Sequence, residues 1–174
     1  MGNPLWAPWR MEYILAPKQG AEACIFCDVD RATTSERRER LVVCASEQAY
    51  VVMNRYPFAA GHLLVVPYAH HASLEDLGGE AHDALFRLVR DSATRLRRAL
   101  RAEGLNVGIN LGAVAGAGIA AHLHVHIVPR WSGDTNFMPV LADTRVIPQA
   151  LVETRDHLAP FFADLAAPAA GASR

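Results

Sequence analysis

His122-Leu123-His124-Val125-His126-Ile127-Val128-Pro129-Arg130 is the stretch on which the reading of this chain turns. In an extended strand every second side chain points to the same face. The spacing therefore predicts a strand with His122, His124 and His126 on one face and Leu123, Val125 and Ile127 on the other. The apolar three are good strand formers. Buried imidazoles need partners for their nitrogens, so three in a row make poor packing material. Histidine is a frequent catalytic group and metal ligand, and the pattern favours that reading over an exposed polar sheet face.

The chain has 174 residues, enough for one domain with a proper core. At 51% hydrophobic and 20% charged residues, its composition is that of an ordinary soluble globular protein. A formal net charge of −1 gives no general attraction for nucleic acid or for an anionic membrane. The segment Met1 to Arg10 has no basic region followed by an apolar core, so no export signal is expected. No apolar run is long and unbroken enough to span a bilayer. Cys24-Ile25-Phe26-Cys27 accordingly reads as a metal-binding or redox pair rather than part of a disulfide framework. Cys44, in the apolar run from Leu41, reads as a buried, inert thiol. A reducing, cytoplasmic setting is expected.

The single domain is placed at 1–165. It begins with an N-terminal arm, 1–20, whose Trp6, Trp9, Met11, Tyr13 and Ile14 pack on the domain or on a second subunit. The charge-rich stretch 31–40 is a solvated loop or short helix. Strands are expected at about 41–45, 49–54 and 62–66, punctuated by Pro57 and Gly61. Ser73 to Asp76 reads as an N-cap with an acidic first turn. A long helix follows over about 80–103, with Leu85, Leu88, Val89, Ser92, Leu96, Ala99 and Leu100 as its inner stripe and Gly104 as its stop. Its arginines, Arg90, Arg97, Arg98 and Arg101 among them, form a solvated face balanced by Asp83, Asp91 and Glu103. Next come a strand at 105–111, a flexible loop at 112–118 and the histidine strand. A last helix starts near Pro148 and runs to about Leu165, and 166–174 is a disordered tail. Strands that can pair by hairpins on both sides of one long helix predict an α+β fold with a mostly antiparallel sheet.

Gly112, Gly116 and Gly118 let backbone N–H groups approach anionic oxygens beside a row of imidazoles, which is a phosphate-handling arrangement. His124 is the best-placed nucleophile. Neighbours on either side can hold its ring, and a neutral imidazole attacks phosphorus well when its other nitrogen is hydrogen-bonded. The resulting phosphoramidate is then broken by water or by phosphate. The lone Cys-x-x-Cys pair is half of a tetrahedral site and needs two more ligands. His82 and His157 fall on helices as surface or partly packed residues. Of the three tryptophans, Trp131 is the preferred substrate contact.

The triad sequence from His122 to Val128 resembles the defining motif of the histidine triad (HIT) superfamily. Asn54, the run Gly61-His62-Leu63-Leu64-Val65-Val66-Pro67, Asn110-Leu111-Gly112 and Ala115-Gly116 resemble the same family's nucleotide site. The segments 5–14, 129–137 and 146–149 are similar to a bacterial branch containing diadenosine tetraphosphate phosphorylases, related to dinucleoside polyphosphate hydrolases. The resemblance implies a five-stranded antiparallel sheet with one long helix and a C-terminal helix, dimerising with a second copy. It implies cleavage of dinucleoside polyphosphates through a nucleotidyl-His124 intermediate. His126 and His62 would orient rings and share protons, and Asn54 would bind ribose. Asn110, Gly112 and Gly116 would line the nucleotide site, to which the glycine loop and the tryptophan reading above add Gly118 and Trp131. The alternatives it leaves are an adenosine phosphoramidase and a catalytically weak nucleotide-binding protein; water and phosphate both remain open as acceptors. Many members carry a hydroxyl or amide just before the triad. This chain has Ala117-Gly118-Ile119-Ala120-Ala121 there, so phosphate contacts fall mostly to the backbone. The resemblance also implies a structural zinc held by Cys24, Cys27, His70 and His122, with His71 as the competing ligand and a redox pair or free thiols as the alternative. Four protein ligands leave no open position, so such a zinc stiffens the site and activates no water.

Overall fold

The computed structural model describes residues 24–134 and 150–166. The expected N-terminal arm with Trp6 and Trp9, the predicted helix start at Pro148 and nearly all of the expected tail lie outside these residues. The charge-rich stretch forms the short helix α1, Thr34–Glu39. A capping box starts it: the Glu36 N–H donates to Thr33 Oγ1 at 3.3 Å, and the Thr33 N–H donates to Glu36 Oε2 at 2.7 Å.

Strand β1, Val42–Ala45, β2, Ala49–Met53, and β3, Leu63–Pro67, follow one another as antiparallel neighbours. Helix α2, Gly79–Leu100, then crosses the sheet to β4, Gly104–Ile109. Strand β5, Val125–Arg130, enters between β3 and β4, giving the order β1-β2-β3-β5-β4, antiparallel throughout. The α2 stripe of Leu85, Leu88, Val89, Ser92 and Leu96 is buried, and the helix packs against β2, β3 and β5. Burying one apolar helix stripe on one sheet face makes the core.

Three boundaries differ from the sequence reading, each for a local reason. Ser73 precedes a turn that the Leu77 N–H closes on the Leu74 carbonyl; Gly78, without a side-chain cap, starts α2. At the other end Arg101 adopts the left-handed cap conformation (φ 51°), and its N–H bonds the Arg97 carbonyl. Gly104 is therefore the first residue of β4, opposite Arg130, and not the helix stop. The last helix is split into α3, Leu151–Leu158, and a 3-10 segment, Ala159–Leu165. Pro160 has no N–H with which to continue the α-helical ladder.

The histidine segment also enters the sheet late, because its ladder begins at Val125. The Leu123 N–H donates to the His71 carbonyl at 2.6 Å, beyond the end of β3. The alternation of faces holds nonetheless, since Leu123, Val125 and Ile127 all join the core. At one edge of the sheet, α3 and the 3-10 segment pack on β1 with Leu158 and Phe162 buried. At the other edge β4 leaves Asn106, Val107 and Gly108 exposed. Among the described residues no helix is long and apolar enough to cross a membrane.

Gly61 turns the chain into β3 at φ 76°, a conformation L side chains rarely adopt. A Cβ there would also lie inside van der Waals contact of Leu100 Cδ1, which would have to rotate aside. Gly61→Ala is expected to lower unfolding free energy by about 1–3 kcal/mol. Gly108→Ala, in open space at the exposed edge, is expected to change it by less than about 1 kcal/mol. Urea denaturation of both variants measures the difference.

Candidate active site

The register of β3 and β5 pairs Leu64 with His126, and so brings His62, the residue before β3, alongside His126. His62 Nε2 lies 3.0 Å from His126 Nδ1. The other His62 nitrogen, Nδ1, accepts the Phe58 N–H at 3.1 Å and lies 3.3 Å from Asn54 Nδ2. A backbone N–H can only donate, so Nδ1 of His62 carries the lone pair and Nε2 the proton. That proton goes to His126 Nδ1, leaving the His126 proton on Nε2. The turn between β2 and β3 thus sets the protonation of both rings. Asn54 Oδ1 holds this turn by accepting the Tyr56 N–H at 2.9 Å, and Phe58 stacks on His62 at 4.9 Å between centroids.

His124 is set the opposite way. Its Nδ1 lies 2.8 Å from the carbonyl oxygen of His122, which can only accept. The proton is therefore on Nδ1 and the lone pair on Nε2. Burial pulls the His124 pKa below the ordinary imidazole value, against the hydrogen bond that favours the charged form. The ring is neutral, buried, and tilted against Phe26 at 5.2 Å. A neutral imidazole with one nitrogen fixed and a lone pair on the other is a competent nucleophile.

His122 faces the cysteine pair. Cys24 Sγ is 3.4 Å and Cys27 Sγ 3.8 Å from His122 Nδ1, and Cys27 Sγ is 3.2 Å from His70 Nδ1. The ligand atoms of all four residues lie within 4.8 Å of one another. Tetrahedral zinc with ordinary Zn–S and Zn–N bonds needs ligand atoms roughly 3.3–3.8 Å apart. The three sulfur–nitrogen distances above, 3.2 to 3.8 Å, match that spacing. The remaining His122 nitrogen, Nε2, donates to the Pro67 carbonyl at 2.9 Å, which directs the Nδ1 lone pair at the sulfurs. Burial and the neighbouring Cys24 push the Cys27 thiol up to about 11, a shift that a divalent cation between the sulfurs would reverse. His71, the competing candidate, contributes its carbonyl to Leu123 and does not join the cluster.

A cavity of about 660 Å³ opens between the residues after Cys24, the ends of β1 and β2, and the glycine loop. Of the residues expected at a nucleotide site, Asn54, Gly116, Gly118, His124 and His126 line it. His62 stands behind His126. Asn110 braces the loop, its Nδ2 reaching the Gly116 carbonyl at 3.5 Å, and Gly112 opens the loop at φ 82° without lining the cavity. The loop itself is less free than its composition predicts, because Ala113–Ala115 forms a 3-10 turn. Trp131 is not brought to the cavity. Strand β5 runs from beside His124 for six residues before reaching it, about 3.3 Å each, and the indole Nε1 bonds the Leu100 carbonyl at 3.3 Å. Sequence reasoning missed Phe26, Phe58, Arg40 and Arg55. Phe26 could have been found: it sits inside the cysteine knuckle, and the knuckle must reach His122.

Comparison with known proteins places this arrangement among relatives. The model for the HIT domain family matches residues 35–133. The AP-4-A phosphorylase of Mycobacterium tuberculosis is 40% identical over 162 residues, which span 89% of this chain and 82% of the relative. The adenosine 5'-monophosphoramidase of Saccharomyces cerevisiae is 29% identical over 116 residues, 66% of this chain and 67% of that one. Among solved structures, a Zn-bound histidine triad family protein from Mycobacterium smegmatis aligns with a TM-score of 0.64 at 26% identity, covering 84% of this chain and 97% of the other.

The ligand geometry is checked by metal analysis of purified protein. Cys24→Ser and His70→Ala are each expected to drop bound divalent metal well below the about one equivalent that a closed tetrahedral site holds. His71→Ala should keep it. Full metal retention in both of the first two variants would exclude this ligand set.

Proposed function

Because the chain belongs to the HIT domain family, we propose that it is a nucleotide-processing enzyme that cleaves dinucleoside polyphosphates through a nucleotidyl-His124 intermediate. The observation that carries the reading is the 2.8 Å bond from His124 Nδ1 to the His122 carbonyl, which leaves a lone pair on the second nitrogen of a ring lining the cavity. Nε2 of His124 attacks the α-phosphorus. The N–P bond forms as the P–O bond to the departing nucleoside polyphosphate breaks. The proton on His126 Nε2, backed by His62, stabilises charge developing on the phosphoryl or leaving oxygens. No hydroxyl or amide side chain stands between Ala117 and Ala121 to add a donor, and the N–H groups of Gly116 and Ala117 already bond the carbonyls of Ala113 and Gly112. An amide uses one donor and one acceptor in the Asn54 contacts described and has one of each left for ribose hydroxyls.

Similarity to the mycobacterial AP-4-A phosphorylase supports phosphate as acceptor, so that the adenylyl group leaves as ADP and the rest of diadenosine tetraphosphate as ATP. The yeast phosphoramidase relative and the apolar Ala117–Ala121 segment support a second reading, in which the same His124 accepts AMP from a nitrogen leaving group. The Cys24, Cys27, His70 and His122 set would hold a structural zinc, as the geometry and the Zn-bound mycobacterial protein support. Bound there, zinc supplies rigidity: it ties the cysteine knuckle to the residue that supports the nucleophile. The exposed edge of β4, with Val107 half exposed, supports pairing with a second copy into a homodimer. Reduced thiols at the metal cluster fit a cytoplasmic setting.

Incubation with diadenosine tetraphosphate, with and without inorganic phosphate, separates the acceptors. ADP plus ATP appearing only with phosphate is the expected result. AMP plus ATP, or two ADP, without phosphate would make the protein a hydrolase, and turnover of a phosphoramidate alone would select the second reading. His124→Asn should lower turnover by about a thousandfold or more while nucleotide binding persists. Undiminished turnover in that variant would remove His124 from the chemistry.

A further inference from the structure

Arg40 lies two residues before β1 and Arg55 two residues after β2, and both line the cavity that contains His124 and His126. The two strands are joined at this end by the Met53 N–H on the Leu41 carbonyl at 3.0 Å, so the arginines leave the sheet together. Arg55 Nη2 reaches the Glu39 carbonyl at 3.4 Å, next to Arg40 in sequence. Arg40 Nη1 donates to the Cys27 carbonyl at 3.3 Å. Among the described residues each guanidinium is thus tethered by one N–H, and a guanidinium carries five such donors.

Two further observations set this pair apart from ordinary surface arginines. Leu41 has φ 65°, an outlier for a branched side chain, and is buried although its neighbour Arg40 is exposed. The backbone is bent so that one residue fills the core while the next stays at the cavity mouth. The charge balance is also one-sided. Among the described residues the one acidic member of the cavity wall is Asp28, which lies 3.9 Å from Arg31, outside the wall. Among the described residues, no carboxylate forms an ion pair with Arg40 or Arg55. By contrast Arg38, Arg90, Arg95 and Arg130 each meet an aspartate. In a chain of net charge −1 this is a local concentration of positive charge, not a share of general basicity.

Guanidinium forks match phosphate oxygens bidentately, and charge-assisted bonds of this kind are the stronger ones. Resting on the nucleotide reading above, we infer that Arg40 and Arg55 form a cationic rim that grips the phosphates beyond the one attacked by His124. The rim selects nucleotides carrying several phosphates over nucleoside monophosphates. It holds the outgoing polyphosphate during the displacement, and between the two steps it offers the same donors to an incoming phosphate.

The test is calorimetric titration of the full chain with AMP, ADP and ATP at two salt concentrations. Affinity should rise from AMP to ATP by about tenfold or more, and the advantage should shrink at high salt, because exposed charges are screened. In the Arg40→Gln/Arg55→Gln double variant, ATP should lose about tenfold in affinity while AMP changes by less than about twofold. Arg97→Gln, on the solvated face of α2, should leave the ATP affinity in place. Equal affinity of the unaltered protein for AMP and ATP would overturn the rim, as would equal loss of both ligands in the double variant. If AMP, ADP and ATP all fail to bind the unaltered protein, the nucleotide reading falls and the rim falls with it; the first two outcomes leave that reading standing.

Discussion

His122 is held at three points, and the rest of the site follows from them. Its Nδ1 meets the sulfurs of Cys24 and Cys27, its Nε2 donates to the Pro67 carbonyl, and its own carbonyl accepts the proton of His124 Nδ1. A buried imidazole with both nitrogens satisfied has one orientation, and its backbone is fixed with it. That fixed backbone presents the carbonyl that decides which nitrogen of His124 is protonated. It also accounts for the late start of β5. With the ring drawn toward the cysteines and Leu123 bonded to His71, the chain joins the ladder only at Val125.

A second constraint acts from the opposite side. The turn from Asn54 to Gly61 fixes His62 through the Phe58 N–H, and His62 fixes His126. Two histidines two residues apart therefore end in opposite tautomers: His124 with a lone pair on Nε2, His126 with a proton there. One suits attack on phosphorus and the other suits stabilising the charge that attack creates. Neither role is intrinsic to the residue. Each is imposed by a carbonyl or an N–H whose position the sheet register determines.

Much of this was legible in the sequence because it rests on periodicity. Alternation at 122–127 predicts the two faces, the helical stripe from Leu85 to Leu96 predicts the covering helix, and strand signals predict β1 to β3 nearly to the residue. The metal cluster was legible from the resemblance, and the geometry brings the same four residues together. What was not legible depends on where local segments end. Arg101 taking a left-handed conformation is invisible to a rule that looks for glycine, and a capping signal at Ser73 competes with a turn of equal local merit. Trp131 read as a substrate contact by its closeness in sequence to the triad, but six strand residues carry it away from His124. Arg40 and Arg55 carry no pattern at all; only strand pairing makes them neighbours.

The most direct measurement is to trap the covalent intermediate. Protein mixed briefly with diadenosine tetraphosphate in the absence of inorganic phosphate, quenched under alkaline conditions and digested, is analysed by mass spectrometry. The account predicts an adenylyl group on the peptide spanning the triad, acid-labile as a phosphoramidate and localised to His124. An adenylyl group on His126 or His62, or turnover with no adduct at any trapping time, would contradict it.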